Sequence, residues 1–159
     1  MTPAETKNAV RVTRTIAAPP ERVFRAWLDP ELARQWMSPD NYGGKAEIEE
    51  RVGGRHRMWW LAEADGEDAG GVEAEITELI PNERIALRWW FVEPDREINP
   101  DFETRVTADF EPGTEPGTTD VSVVHERLDA AERQQEGLGA DIGRGWNMGL
   151  DKLEAFLVR

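Results

Sequence analysis

Between Leu138 and Leu157 the apolar positions recur as on one stripe of a helix. Ile142, Trp146, Gly149, Leu153 and Leu157 stand four, three, four and four residues apart. That spacing predicts one long amphipathic helix, with Arg144, Asp151, Lys152 and Glu154 on its other faces. Upstream the period is mostly two. Val10, Val12, Arg14 and Ile16 alternate with Arg11, Thr13 and Thr15, and similar alternation marks Ala46 and Ile48, Arg55–Ala62, Val72 to Ile76, residues 85–92, Val106 to Phe110, and Val121 to His125. A period of two predicts strands. After the first strand, Pro20 opens one short helix whose buried side is Val23, Phe24, Trp27 and Leu28. Asp29 is placed to cap a second, which starts at Pro30 and runs to about Trp36. Turn-rich segments follow at Ser38-Pro39-Asp40-Asn41, Gly53-Gly54, 64–71, Pro81-Asn82, 93–103 and 111–118. The order is strand, two short helices, about six strands and one long helix. This is an α+β pattern with an antiparallel sheet of about seven strands. An amphipathic helix at its end needs an apolar surface to cover, which a curved sheet supplies.

Three glycines interrupt the helical pattern: Gly143, Gly145 and Gly149. Each costs about 1 kcal/mol relative to alanine inside a helix. Two accounts stand: close backbone approach to the sheet with a bend at Gly143, or space left beside Trp146 that helix and sheet enclose as a cavity. Gly137, Gly139 and Gly143 do not make a dinucleotide fingerprint, because the spacing is GxGxxxG and no βαβ unit follows.

Alternation also sorts the paired tryptophans. Arg55 and Arg57 facing water send Trp59 outward and leave His56, Met58 and Trp60 inward. Arg88 facing water sends Trp90 outward and leaves Ile85, Leu87, Trp89 and Phe91 inward. Trp59 and Trp90 then have two readings. Arg57 and Arg88 lie over them in cation–π contact, or the pair forms the centre of a homodimer patch. Monomer and homodimer both stay open.

Charge narrows the partners. The 159 residues carry 19 Lys plus Arg against 32 Asp plus Glu, a formal net charge of −13. Bulk electrostatics therefore argue against nucleic acid and anionic membranes. The length fits a single domain, expected over residues 10–158 after a frayed, polar N-terminus at 1–9. There is no cysteine, the N-terminus has no apolar signal region, and no run is long enough to span a membrane, which points to the cytoplasm.

Residues 12–39, VTRTIAAPPERVFRAWLDPELARQWMSP, resemble the opening of the domain named for the activator of the heat-shock-protein-90 ATPase. Arg14-x-Ile16, Ala18-Pro19-Pro20-Glu21-x-Val23-Phe24-x-Ala26-Trp27, Asp29-Pro30-Glu31, Trp36 and Pro39 carry it. Downstream, Arg51-Val52-Gly53-Gly54, Glu75-Ile76 with Pro81-x-Glu83-Arg84-Ile85, and Gly145-Trp146-x-x-x-Leu150-x-x-Leu153 continue the resemblance through about residue 157. It implies the START-like (SRPBCC) helix-grip fold, in which an antiparallel sheet wraps around the C-terminal helix. It also implies three functions to choose among: binding a hydrophobic small molecule in an apolar cavity, cyclase- or hydrolase-type catalysis, and action on a chaperone. No second domain is expected within these 159 residues, and on that expectation the last is the less favoured.

The residues themselves offer little covalent or metal chemistry. Only Ser38 and Ser122 are present as serines, neither in GxSxG, and His56 and His125 are the only histidines, with no HExxH. Asp65-Gly66-Glu67-Asp68 does not fit an EF-hand loop. No metal and no cofactor is expected. The candidates that remain line the expected cavity: Trp36, His56, Met58, Trp60, Trp89, Phe91, His125 and Trp146. Aromatic walls with one or two polar groups describe a small-molecule pocket, while the same rings could also fill a core. His125 is the candidate for an internal polar handle, or for an acid or base in the catalytic alternative.

Overall fold

The computed structural model describes residues 8–39, 42–129 and 137–158. The alternating segments become β1 (Ala9–Ile16), β2 (Tyr42–Ile48), β3 (Arg55–Ala62), β4 (Asp68–Ile80), β5 (Arg84–Val92), β6 (Thr104–Pro112) and β7 (Thr119–Glu126). Two short helices, α1 (Pro20–Leu28) and α2 (Pro30–Trp36), follow β1, and α3 (Leu138–Leu157) is the long C-terminal helix. The expected frayed N-terminus and the Asp40-Asn41 turn lie outside the described residues, apart from Asn8 and Ala9.

All seven strands form one antiparallel sheet in the order β1-β7-β6-β5-β4-β3-β2. From β2 to β7 the chain meanders, each strand pairing with the next. Only β1 is displaced: it pairs with β7, its Val12 opposite Val123. The two sheet edges are therefore β1 and β2, consecutive strands joined by α1 and α2. The helix starts follow local chemistry. Pro20 opens α1, where its missing N–H costs nothing, and the Asp29 carboxylate accepts from the Glu31 N–H at 2.9 Å to cap α2.

β4 is longer than its apolar alternation predicts, beginning at Asp68 rather than Val72. The hairpin closes with the Ala62 N–H on the Glu67 carbonyl, and Leu61 pairs with Asp68. Ladder bonds are made by the backbone, so a polar segment joins a sheet without an apolar signature.

The concave face of the sheet, α1, α2 and α3 share one core. Trp27 sits at its centre with no exposed surface, ringed by Trp36, Phe110 and Trp146 at centroid distances of 5.0, 5.9 and 5.6 Å. The buried stripe of α3 is Ile142, Trp146, Leu150, Leu153 and Leu157. Leu150 takes the place expected of Gly149, which turns half toward solvent. The reason is angular: Leu150 stands four residues from Trp146 and three from Leu153, and so lies on the same stripe.

Candidate functional site

The backbone of α3 runs beside β1, α2 and α1. Two of its glycines stand at these crossings. A Cβ on Gly143 would lie 3.2 Å from Val10 Cγ1, and one on Gly149 would lie 3.4 Å from the Trp36 carbonyl. Polar bonds pin the same sides. Arg14 of β1 donates to Asp151 and Asn147, and the Lys152 ammonium donates to the Ser38 carbonyl at 2.6 Å. Gly145 is different, because a Cβ there would meet nothing within 4 Å. Both accounts of the helix glycines are therefore needed, one for Gly143 and Gly149 and the other for Gly145.

The open space beside Gly145 belongs to a cleft of about 360 Å³ between α3 and strands β3, β4 and β5. Its walls include Trp36, His56, Met58, Trp60, Trp89, Phe91 and Trp146. Period-two alternation aims Met58 and Trp60 of β3, and Trp89 and Phe91 of β5, at the concave face. Trp89 packs against Trp146 with ring centroids 5.5 Å apart, and the Trp60 and Phe91 centroids are 6.5 Å apart. Two indole N–H groups are satisfied within the wall: Trp36 donates to the Ala26 carbonyl and Trp60 to the Met37 carbonyl. Phe91 stays 46% exposed, which puts it with the exposed Met148 at the mouth.

His125 is the exception among the expected lining residues. It is fully buried and does not line the cleft; it stands behind Trp89 and Trp146. The Trp146 indole N–H donates to Nδ1 at 3.1 Å. An indole can only donate, so Nδ1 is the acceptor and Nε2 carries the proton. Nε2 then donates to Thr104 Oγ1 at 2.7 Å, and that hydroxyl donates to the Trp89 carbonyl at 3.0 Å. The chain of bonds ties α3 to β5 through β6 and β7 and orients the Trp146 ring. Burial pushes the His125 imidazole down to about 3, so it stays neutral. Neither ring nitrogen is left for substrate, which removes the geometry that acid–base work by His125 needs.

His56 does line the cleft. Its Nε2 faces the Trp27 carbonyl at 2.8 Å and must donate there. Burial lowers its pKa as well, and Nδ1 has no hydrogen-bond partner among the described residues.

The outward tryptophans are covered by cations of their own chain. Arg88 lies over Trp90 at 5.0 Å, as the alternation suggests, and Trp90 is only 7% exposed. Over Trp59 the expected Arg57 is replaced by Arg96 at 4.5 Å and Lys45 at 5.4 Å. Arg57 turns instead to Glu73 and Glu47, its opposite neighbours in the two flanking strands. Arg96 reaches back from the β5–β6 connection, a long-range contact without a periodic signature.

Several cleft residues escaped the apolar pattern, among them Ser38, Asp141, Gly145 and Lys152. A signal for three of them exists. Asp141, Gly145, Gly149 and Lys152 are spaced four, four and three apart, a second stripe beside the apolar one. Because the Gly145 position is open, Gly145→Ala is expected to stabilise the protein by about 1 kcal/mol, from helix propensity alone. Urea denaturation at constant m-value checks it; a loss of stability would mean that the backbone is tightly covered there.

An antiparallel sheet gripping one C-terminal helix, with an aromatic cleft between them, defines a helix-grip protein of the START-like class. The chain belongs to the family described as Activator of Hsp90 ATPase homolog 1-like protein, whose pattern matches residues 17–158. Solved structures share the fold. A crystal structure from Chromobacterium violaceum is 30% identical with a TM-score of 0.76, over 94% of this chain and 97% of that one. A solution structure from Staphylococcus epidermidis is 25% identical with a TM-score of 0.77, over 99% and 93%. An HSP90 activator from Plasmodium falciparum is 23% identical with a TM-score of 0.72, over 94% and 96%, a likeness of fold. No curated protein matches the chain. Among the described residues, no three His, Cys, Asp or Glu side chains gather as a metal site requires. No helix among them is long and apolar enough to cross a membrane.

Proposed function

We propose that this protein binds a hydrophobic or aromatic small molecule in the cleft between α3 and the sheet. The observation that carries the reading is the open, aromatic-walled space of about 360 Å³ beside Gly145. A filled core would leave no such volume, and pockets for small ligands begin at about 300 Å³. Trp36, Met58, Trp60, Trp89, Phe91 and Trp146 would supply the apolar contact, and His56 a polar atom. His125 would act from behind, by fixing the Trp146 ring.

Titration with 2-naphthylmethanol, followed by tryptophan fluorescence, tests it. Trp89 and Trp146 should change emission saturably. Gly145→Phe places a ring in the open space and should weaken binding by at least about tenfold, the value of a few buried carbons, without loss of fold. Binding unchanged in Gly145→Phe would place the ligand elsewhere. Native mass spectrometry of freshly purified protein should show a resident mass that leaves on activation.

Family membership supports a second reading, action on a chaperone. It expects the chain to raise the ATPase rate of the chaperone from its own cell; a rate unchanged at saturating protein rejects it.

A further inference from the structure

We infer that the molecule held in the cleft carries a hydroxyl group, and that this hydroxyl donates to His56 Nδ1. The inference rests on the proposed cleft binding and adds the ligand's chemical class.

Alternation turns His56 inward on β3, between Arg55 and Arg57. Across the sheet it stands beside Ile48 of β2 and Ala74 of β4, and the next inward residue of its own strand is Met58. None of these three side chains carries a hydrogen-bond donor. The bond that the ring does make leads away from the cleft. Nε2 donates to the carbonyl of Trp27, in the last turn of α1, and Trp27 is not part of the cleft wall. The other carbonyl near the ring is that of His56 itself, which likewise only accepts. With its one proton committed to Trp27, the neutral imidazole keeps a lone pair on Nδ1, and no donor among the described residues reaches it. His56 is 1% exposed and borders the cleft, so the cleft is the open space from which a donor can come.

Buried acceptors are nearly always paired, because an unmet lone pair keeps the cost of its lost hydration. Capping the Trp27 carbonyl accounts for Nε2 and leaves Nδ1 unexplained. Much of the remaining polar wall is settled: the Trp36 and Trp60 indoles donate to backbone carbonyls, and the Ser38 hydroxyl donates to the Arg34 carbonyl. The Trp89 indole N–H is different, buried and unpartnered among the described residues. It belongs to the same row as His56, because Ala74 pairs with both. Two strand spacings put their backbones about 10 Å apart, with the small Ala74 side chain between them. One of these two groups accepts and the other donates. A hydroxyl does both, whereas an ether or ketone oxygen only accepts. An ammonium only donates, and it would carry an unpaired charge against apolar walls. Nδ1 is closed to solvent, so water does not compete for it, and Met58 beside it is an unbranched thioether that gives way readily. The fit is therefore to an aromatic alcohol or phenol, with its hydroxyl toward β3.

The probes are 2-naphthylmethanol and its methyl ether, titrated into the full chain by calorimetry and by NMR of isotope-labelled imidazole nitrogens. The alcohol should bind about tenfold tighter than the ether, the scale of one hydrogen bond to an otherwise unsatisfied acceptor. It should also move the His56 Nδ1 resonance upfield, as acceptance of a hydrogen bond does, while the ether leaves it in place. The chain has two histidines, and His125 is the internal control, because its Nδ1 already accepts from Trp146. His56→Met should bring the alcohol-to-ether ratio close to one without loss of ether binding. Where that variant does not fold, the His56 resonance of the parent protein decides. Equal binding of the two probes by the parent overturns the inference and leaves cleft binding standing. So does saturable binding of the alcohol that leaves His56 Nδ1 unmoved, because His56 then serves only to cap Trp27. If neither probe binds, the cleft reading falls and this inference falls with it.

Discussion

Replacing Trp27 with alanine should lower the free energy of unfolding by about 3–5 kcal/mol, the range for deleting a large buried aromatic side chain. Trp27 is fully buried where α1, α2, α3 and β6 meet. Its ring stacks on Trp146 at an interplanar angle of 16° and meets Trp36 and Phe110 edge-on. Alanine would remove all three ring contacts and leave a cavity bounded by other rigid rings, which relax poorly. Loss of support for Trp146 would also disturb the cleft wall, so the variant should bind 2-naphthylmethanol more weakly. Trp27→Phe is the informative companion. The Trp27 indole N–H is buried with no hydrogen-bond partner among the described residues. Phenylalanine keeps part of the ring packing and removes that unsatisfied donor, so its cost should fall to about 1–2 kcal/mol. Urea denaturation of both variants is the check. A loss under about 1 kcal/mol for Trp27→Ala would show that the ring cluster is not the centre of the core.

Acidification should destabilise the fold well above the range where carboxylates titrate. A free imidazole titrates near 6.5, and burial holds His125 at about 3. Between those values the unfolded chain takes up a proton that the folded chain refuses. The unfolded state then binds more protons, so stability rises with pH across this window and falls as pH drops through it. At pH 5 the deficit from His125 is about 2 kcal/mol, from roughly 1.4 kcal/mol per pH unit below the free value. His56 is also lowered by burial and adds a loss of the same sign. The Glu49 and Glu103 carboxylates are lowered too, Glu49 by the Arg55 backbone N–H and Glu103 by the Arg88 guanidinium. Their losses begin only below about pH 4.5, so the interval from pH 6.5 to 5 isolates the histidines. His125→Gln should be less stable than the parent at pH 7, because the bonds to Trp146 and Thr104 are disturbed. It should also show a shallower dependence between pH 5 and 6.5. Parallel slopes for parent and variant would mean that His125 takes a proton without unfolding.

The same residues show how far the chain's own order determined the outcome. Strand and helix positions follow from local periodicity. Val10 and Val12 face the core because a strand alternates, and Ile142, Trp146 and Leu153 face it because a helix repeats every 3.6 residues. Asp29 and Pro20 act on backbone groups next to them in sequence. The aromatic walls were legible for that reason: the inward parity of Met58, Trp60, Trp89 and Phe91 is a local property. Resemblance to a family then supplied the grip of sheet on helix, which periodicity alone does not specify.

What periodicity left open depended on distance in sequence. Whether the rings fill a core or border a space is set by where α3 stands off the sheet. That separation is held by Arg14 against Asp151 and by Lys152 against Ser38, pairs more than a hundred residues apart. His125 shares the inward parity of the cleft residues, yet it lies behind them, because Trp146 and Thr104 close over both ring nitrogens. Arg96 covers Trp59 from a loop with no repeat to read. The sequence by itself determined the elements, their inward faces and the aromatic character of the space between them. Only the tertiary structure decided that the space is open, that His125 is a neutral strut and that Lys152 stands at the cleft. The physical reason is that a side chain's facing is decided within a few residues, whereas its partner is decided by the packing of the whole chain.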